Sequence, residues 1–290
     1  MRLRYIKKAL FSSDRRVISK KFKKVFGFKP DLNNPKRFNE IINWRKLNER
    51  NPLFTKCTDK LLVREFVASC IGDKYLVPLL ASGHSWESIQ YKKLKEPFII
   101  KTTHGSGGNK IVRGKSAENE QELEEQFTEW LKENYYYGLR EWQYKGIKPL
   151  IIVEQLLIDK VGQIPTDYKF HCFNYNGEVE LIVEVISTRF IDTRGAFYDQ
   201  EWNRIPVEFT FPSPDNDIDK PDDFEEMCQI AKRLSSSFNY VRVDLYNLNN
   251  QIFFGELTFS PSSGLVKFTP DKWDFIFGEK LIKTGILEQK

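Results

Sequence analysis

Two stretches toward the C-terminal end decide the fold: Val241-Arg242-Val243-Asp244-Leu245 and Phe254-Gly255-Glu256-Leu257-Thr258-Phe259. Each mixes apolar with polar residues at the period of a half-buried strand, and Asn247–Asn250 supplies a turn between them. They predict a hairpin of strands over 240–246 and 252–259. Alternation puts Arg242 and Asp244 on one face, with Val241, Val243 and Leu245 toward the core; on the second strand Glu256 and Thr258 share a face. Pairing the strands can bring Asp244, Glu256 and Thr258 together with Arg242 beside them. Two adjacent carboxylates repel unless a cation lies between them, and a site with few oxygen ligands suits Mg²⁺. Arg242 adds positive charge of the kind that steadies an anionic intermediate. An exposed hairpin face with ordinary salt bridges would show the same residues.

Further upstream, Asp167 to Phe173 alternates as well, with Asp167, Lys169 and His171 on one face and Tyr168, Phe170 and Cys172 on the other. Its expected partner is Glu178–Ile186, turned at Asn176-Gly177. Earlier still, Phe98-Ile99-Ile100-Lys101 and Lys110-Ile111-Val112-Arg113 flank a polar loop that contains Gly105-Ser106-Gly107-Gly108. This is a hairpin with a glycine-rich tip, whose backbone amides can wrap phosphates. It is neither a P-loop nor a dinucleotide fingerprint, and a hairpin turn without function fits as well. Helices are expected over 36–48, 58–70, 117–133 and 224–236, and a buried strand over 149–154. The fold class is mixed α/β (α+β).

The 290 residues suit about two domains, or three small lobes around one cleft. Hydrophobic residues at 40% and aromatics at 14% exclude a disordered chain. No apolar run reaches the ~18–20 residues of a membrane span, and none near the start makes the ~7–15-residue core of a secretory signal. The four cysteines are scattered and form no CxxC, which argues against a disulfide framework or a zinc site and for a reducing cytoplasm. The net charge of +5 hides an asymmetry: residues 1–29 carry eleven Lys and Arg against Asp14 alone, +10, leaving −5 for the rest. Their apolar residues fall at helical spacing, as in Leu3, Ile6, Leu10 and again Ile18, Phe22, Val25. A basic amphipathic segment of this kind points to an anionic membrane surface. A solvated helix covering the core is the plainer alternative. Nucleic acid is set aside, because no RNA-binding or helix-turn-helix signature follows.

The glycine loop and the acidic hairpin, in this order, resemble the ATP-grasp superfamily, and within it the TupA-like ATP-grasp proteins of bacterial cell-surface polysaccharide and teichuronopeptide biosynthesis. The resemblance runs from about Phe38 to Gly278. It is carried by Phe38-Asn39-Glu40 with Trp44, Thr55-Lys56, Asp59-Lys60, Val63-Arg64, Lys101 to Gly108, Glu141-Trp142 with Tyr144, Asp167-Tyr168-Lys169-Phe170 and the two stretches quoted first. It implies a basic segment (1–29), an N-terminal α/β lobe (30–92), a mobile lid domain (93–156) and a C-terminal antiparallel lobe (157–290). Lys101 would then meet the α/β-phosphates of ATP, and Gly105, Ser106, Gly107 and Gly108 the β/γ-phosphates. Glu154, Gln155, Leu156 and Leu157 would form the adenine hinge, and Asp167 would contact ribose. Asp244, Glu256 and Thr258 would hold Mg²⁺, and Arg242 would stabilise the tetrahedral intermediate. Thr258 departs from the superfamily, which usually has Asn there; a hydroxyl is a poorer ligand, so the second magnesium site is weakened. Lys169, Lys60 and Arg204 are further nucleotide candidates, Arg204 chosen over Arg189 and Arg194. His104 is expected to be a loop hydrogen-bonder, and Trp44, Trp142 and Trp273 core residues.

The implied activity is an ADP-forming carboxylate–amine ligase, acting through an acyl phosphate on a sugar carboxylate such as a uronic acid and on an amino acid or amine. The substrate is expected to be lipid-linked and the enzyme to work at the cytoplasmic membrane face. Three rivals remain: a glycosyltransferase, for which no convincing DxD motif is present, a sugar phosphotransferase, and a non-catalytic ATP-binding protein.

Overall fold

The computed structural model describes residues 12–160, 162–187 and 192–288. They form helices α1 (Asp14–Phe26), α2 (Phe38–Asn48), α3 (Pro52–Thr58), α4 (Val63–Ile71), α5 (Glu120–Leu131), α6 (Tyr136–Leu139), α7 (Phe224–Ser235) and α8 (Lys272–Lys283). The strands are β1 (Leu79–Gly83), β2 (Phe98–Thr102), β3 (Asn109–Val112), β4 (Ile151–Gln155), β5 (Asp167–Tyr175), β6 (Glu178–Ser187), β7 (Arg194–Asp199), β8 (Arg204–Ile205), β9 (Tyr240–Leu248) and β10 (Gln251–Thr258). They make two antiparallel sheets, β1-β4-β2-β3 and β10-β9-β5-β6-β7-β8.

The helix expected over 58–70 starts later, as α4 at Val63, and a separate helix, α3, precedes it. Asn51 caps α3, its side chain accepting from Leu53 N, with Pro52 at the first helical position. The chain then breaks at Asp59, whose Oδ1 accepts from Leu61 N at 2.8 Å and Leu62 N at 3.2 Å, and α4 starts at Val63. A short acidic side chain that satisfies the backbone locally competes with helix continuation.

The smaller sheet carries α5 on one face. Leu123 and Phe127 of α5 pack with Phe98, Ile100, Val112, Ile151 and Val153 over Trp86 and Tyr91. Burying Phe127 completely is worth roughly 1.5–3 kcal/mol. Its edge strand β1 comes from before Phe98 and pairs with β4.

The larger sheet has two unlike faces. Tyr168, Phe170, Cys172, Val183, Val185, Val241, Val243 and Leu245 form a continuous apolar face beneath α7, α3 and α4. The other face is aromatic at one end, where Phe173, Ile182, Phe197 and Tyr240 pack under Phe38 and Ile41 of α2 and Phe277 and Leu281 of α8. Halfway along the strands it turns charged, with Lys169, Glu184 and Asp244 in register neighbours. His171 marks the boundary. It is buried, its ring set among Phe38, Phe197, Phe209 and Phe277, with Nδ1 2.8 Å from the Tyr240 hydroxyl. On the near side the helix α1 lays Ile18 and Phe22 against the protein. Residues 1–11 of the basic segment lie outside the described residues.

Candidate functional site

The charged half of the larger sheet faces the smaller sheet across a cleft of about 320 Å³. One wall is the β9–β10 hairpin and β5, bringing Asp167, Lys169, Asp244, Glu256 and Thr258. The other is β2, the glycine loop and the end of β4, bringing Lys101, Ser106, Gly107, Glu154, Gln155, Leu156 and Leu157. Lys60 and Arg64 close it from the segment before α4 and from α4 itself. Gly105 and Gly108 border a smaller hollow behind Ser106 and Gly107, with Trp130, Glu133 and Tyr135.

Asp244 and Glu256 stand opposite each other in register, and Thr258 stands opposite Arg242. Arg242 Nε donates to Asp244 Oδ1 at 2.7 Å, and its Nη2 reaches Asp244 Oδ2 at 2.7 Å, Glu256 Oε1 at 3.1 Å and Thr258 Oγ1 at 3.1 Å. Lys169 Nζ lies 2.7 Å from Asp244 Oδ2 and 2.6 Å from Asp167 Oδ2. Burial by itself would lower the Lys169 pKa, but the neighbouring Asp244 and Asp167 charges outweigh it and hold the ammonium above its usual range. Arg242 is raised in the same way, burial opposing it and Asp244 prevailing.

Only Glu256 of these carboxylates is open to the cleft: its side chain is 52% exposed, against 3% for Asp244. Its Oε1 also accepts from the Thr258 hydroxyl at 2.7 Å, while Oε2 takes no part in these bonds. Two carboxylates and a hydroxyl at a wet cleft fit a hard cation that keeps part of its water, as Mg²⁺ does. Among the described residues there is no cluster of three or more His, Cys, Asp and Glu that would make an all-protein cage. The fit is asymmetric, since both Asp244 oxygens already accept from Arg242 and one also from Lys169.

Across the cleft, Lys101 Nζ donates to Glu154 Oε2 at 2.7 Å and Arg64 Nη1 to Glu154 Oε1 at 3.0 Å. The glycine loop is pinned at its base, where Thr102 N donates to Gly108 O at 2.8 Å and Thr103 N to Leu150 O at 3.0 Å. Its tip is held by Lys60, whose ammonium donates to the Gly105 carbonyl. Burial draws the Lys60 pKa down, partly opposed by Glu256. His104 is buried with Nε2 3.1 Å from the Trp130 carbonyl.

A model of the family described as TupA-like ATPgrasp matches residues 40–282. The chain belongs to the TupA-like ATP-grasp family. No curated protein sequence matches it. Among solved structures, it is similar to D-alanine–D-alanine ligase from Helicobacter pylori, with 16% identity and a TM-score of 0.48 over 79% of this chain and 61% of that one. D-alanyl-alanine synthetase A from Vibrio cholerae gives 13% identity and a TM-score of 0.47 over 81% and 65%. The chain thus spans about three-fifths of the length of these structures.

Within this ATP-grasp chain, Arg242 does not line the cleft but lies buried behind it, bonded to Asp244, Glu256 and Thr258, while Arg204 is away from the site. Arg204 lies on β8 at the far edge of the larger sheet, donating to Asp217 Oδ1 at 2.9 Å and to the Pro214 carbonyl. Arg194 pairs with Asp192, and Arg189 lies outside the described residues. Three residues without an assigned role in the sequence reading join the site. Arg64 pairs with Glu154, Tyr144 lines the cleft, and Glu184 is buried in register with Lys169. Burial pushes the Glu184 carboxyl up to about 7, against the pull of Arg242 and Lys169. Arg64 stands in the Val63-Arg64 pair that carries part of the family resemblance, which is a signal for it; Glu184 sits in a plain alternating strand with no such mark.

Proposed function

We propose that the chain is an ATP-dependent carboxylate–amine ligase that forms ADP and an amide through an acyl phosphate. The observation that carries this is the cleft itself, with Lys101 and a glycine loop on one wall and paired carboxylates on the other. Lys101 Nζ supplies positive charge for the α/β-phosphates of ATP, and the amides of Gly105–Gly108 donate to the β/γ-phosphates as a lid. Gln155 to Leu157 offer backbone groups to the adenine edge, and Asp167 with Lys169 faces the ribose side. Asp244, Glu256 and Thr258 would hold Mg²⁺, which supplies charge neutralisation at the transferring phosphoryl group. Arg242 Nη1, which makes none of the bonds described, is the donor available to the oxyanion that forms when the amine attacks.

The substrates are a sugar carboxylate, such as a uronic acid, and an amino acid or amine, in surface polysaccharide biosynthesis. The basic segment 1–29 brings the chain to an anionic membrane, where a lipid-linked sugar is met. The contact proposed is a peripheral one; no helix among the described residues is long and apolar enough to cross a membrane.

The experiment labels the substrate carboxylate with heavy oxygen and follows it by mass spectrometry, with ATP, Mg²⁺ and a panel of uronic acids and amines. The expected outcome is ADP, an amide, and phosphate carrying one heavy oxygen. Unlabelled phosphate, or AMP with pyrophosphate, would refute the acyl-phosphate route. A phosphorylated sugar would mark a phosphotransferase.

A further inference from the structure

Helix α1 lies ahead of the family-matched stretch, yet it is bonded to the segment between α5 and β4. Asp14, the first residue of α1, accepts from the Tyr136 hydroxyl with both carboxylate oxygens, each at 2.8 Å. The same carboxylate lies 3.5 Å from Arg140 Nε. Burial raises the Tyr136 pKa and the Asp14 charge adds to it, so the phenol stays protonated and donates. Arg140 also lies over the Tyr136 ring, its guanidinium 5.2 Å from the ring centre. Asp14 thus grips both ends of α6, the single turn Tyr136–Leu139 that Arg140 closes.

That turn backs the glycine loop. Consecutive helical residues point about 100° apart, so Tyr135 and Tyr136 face different neighbours. Tyr136 meets α1, whereas a Cβ on Gly105 would lie 3.4 Å from the Tyr135 ring. The Tyr135 ring also packs on Tyr144, 4.7 Å between centres, and Tyr144 lines the cleft with Ser106 and Glu256. The turn ends at Arg140, a buried residue with φ +61°. A non-glycine side chain holds that backbone only where its surroundings over-determine it. Here they are Asp14 and, one residue earlier, Lys46 of α2, whose ammonium donates to the Leu139 carbonyl at 3.3 Å. A carboxylate in the first turn of a helix also suits the helix dipole, which is the plainer account of Asp14. That account does not require both oxygens on a phenol of another element.

We propose that Asp14 is a positioning residue for the glycine loop: through Tyr136 and Arg140 it fixes the turn whose Tyr135 backs the loop that meets the ATP phosphates. The inference rests on the ATP reading of that loop. It gives α1 a role inside the protein, as the strut behind the nucleotide site, besides the basic side chains it carries.

The test compares Asp14→Ala, Tyr136→Phe and the double variant with the native full chain, by amide exchange without nucleotide and by titration with Mg-ATP. Each single variant should raise exchange over residues 105–108 about threefold and weaken Mg-ATP binding by a similar factor, a fraction of the effect of a charged hydrogen bond acting directly. The double variant should match Asp14→Ala, in which the phenol has already lost its acceptor. Exchange across α7 should stay native, which a general loss of stability would not allow. Tyr136→Phe removes one oxygen and keeps the ring, so the test stands if Asp14→Ala fails to fold. Native exchange over 105–108 in Tyr136→Phe, and in Asp14→Ala where it folds, would overturn the strut. Faster exchange that spreads equally to α7 would assign Asp14 to stability alone and overturn it too, as would faster loop exchange with native Mg-ATP binding. No binding of Mg-ATP by the native chain would refute the ATP reading itself, a failure that exchange measured without nucleotide keeps separate.

Discussion

Glu256 faces Asp244 because β10 skips a residue between them: Phe254 pairs with Leu245, and the next pair is Glu256 with Asp244. Gly255 is the extra residue, a β-bulge. Strict alternation would put Phe254 on the same face as Glu256. With the bulge, Phe254 joins Leu257 and Phe259 in the core while Glu256 and Thr258 keep the cleft face. The hairpin thus satisfies a hydrophobic demand and a chemical one that regular pairing could not meet together.

Gly255→Ala should therefore damage the site more than its small size suggests. A Cβ there would lie 3.0 Å from the Asp244 carbonyl oxygen and 3.1 Å from the Tyr246 ring. Backbone cannot yield cheaply, so a loss of ~1–3 kcal/mol is expected in urea unfolding. Turnover should fall at matched folded fraction, as Glu256 loses its place opposite Asp244. Native-like stability together with native-like turnover would mean the bulge is not needed.

Glu256→Gln should abolish turnover, by about a hundredfold or more, with the fold intact. Its side chain is half exposed, so folding has little stake in its charge, whereas the cation has much. The partner experiment is Thr258→Asn, which restores the residue usual in the superfamily. The Mg²⁺ concentration for half-maximal turnover should fall. A rise or no change would show that Thr258 is not a ligand position.

Lys60→Ala should loosen the glycine loop, because the ammonium is the bond from the 59–62 segment to the Gly105 carbonyl. One net hydrogen bond from a charged donor corresponds to about a tenfold rise in amide exchange over residues 105–108. Exchange rates equal to those of the native chain would place the restraint in the pinned base of the loop instead.

The strands that carry the site were legible because one of their faces is uniformly apolar and the other polar, as in Tyr168 to Cys172 against Asp167 to His171. The same alternation could not show where the polar face changes character. His171 has the same parity as Lys169, yet α2 and α8 close over it with phenylalanines, which is a tertiary fact. Helix α8 is hard to read from the sequence because Gly278 interrupts its pattern; that glycine lies where a Cβ would meet the Lys36 carbonyl oxygen at 2.1 Å. Strand β1, Leu-Leu-Ala-Ser-Gly, shows no period, and pairing with β4 makes it a strand. Arg204 is one of three arginines in one polar stretch, and only the strand order shows that β8 lies at the edge remote from β10.

Glu184 makes a prediction about pH. Its carboxyl is pushed up to about 7 by burial, whereas a glutamate in the unfolded chain loses its proton near pH ~4.3. Between those values the folded chain binds the extra proton, so stability contributed by this group is present at the acid end and falls as pH rises. The full effect of a shift of that size is up to roughly 4 kcal/mol. Glu141, also pushed up to about 7 by burial despite Lys46, acts in the same direction. Lys46, drawn down to about 8 by burial, acts in a separate, more alkaline window and with the opposite slope. Glu184→Gln keeps the shape and removes the titration. Its urea stability should therefore decline less than that of the native chain from about pH 5 to 7, with the Glu141 contribution remaining in both. Parallel curves for the two proteins would show that Lys169 and Arg242 keep Glu184 ionised in the fold, overriding its burial.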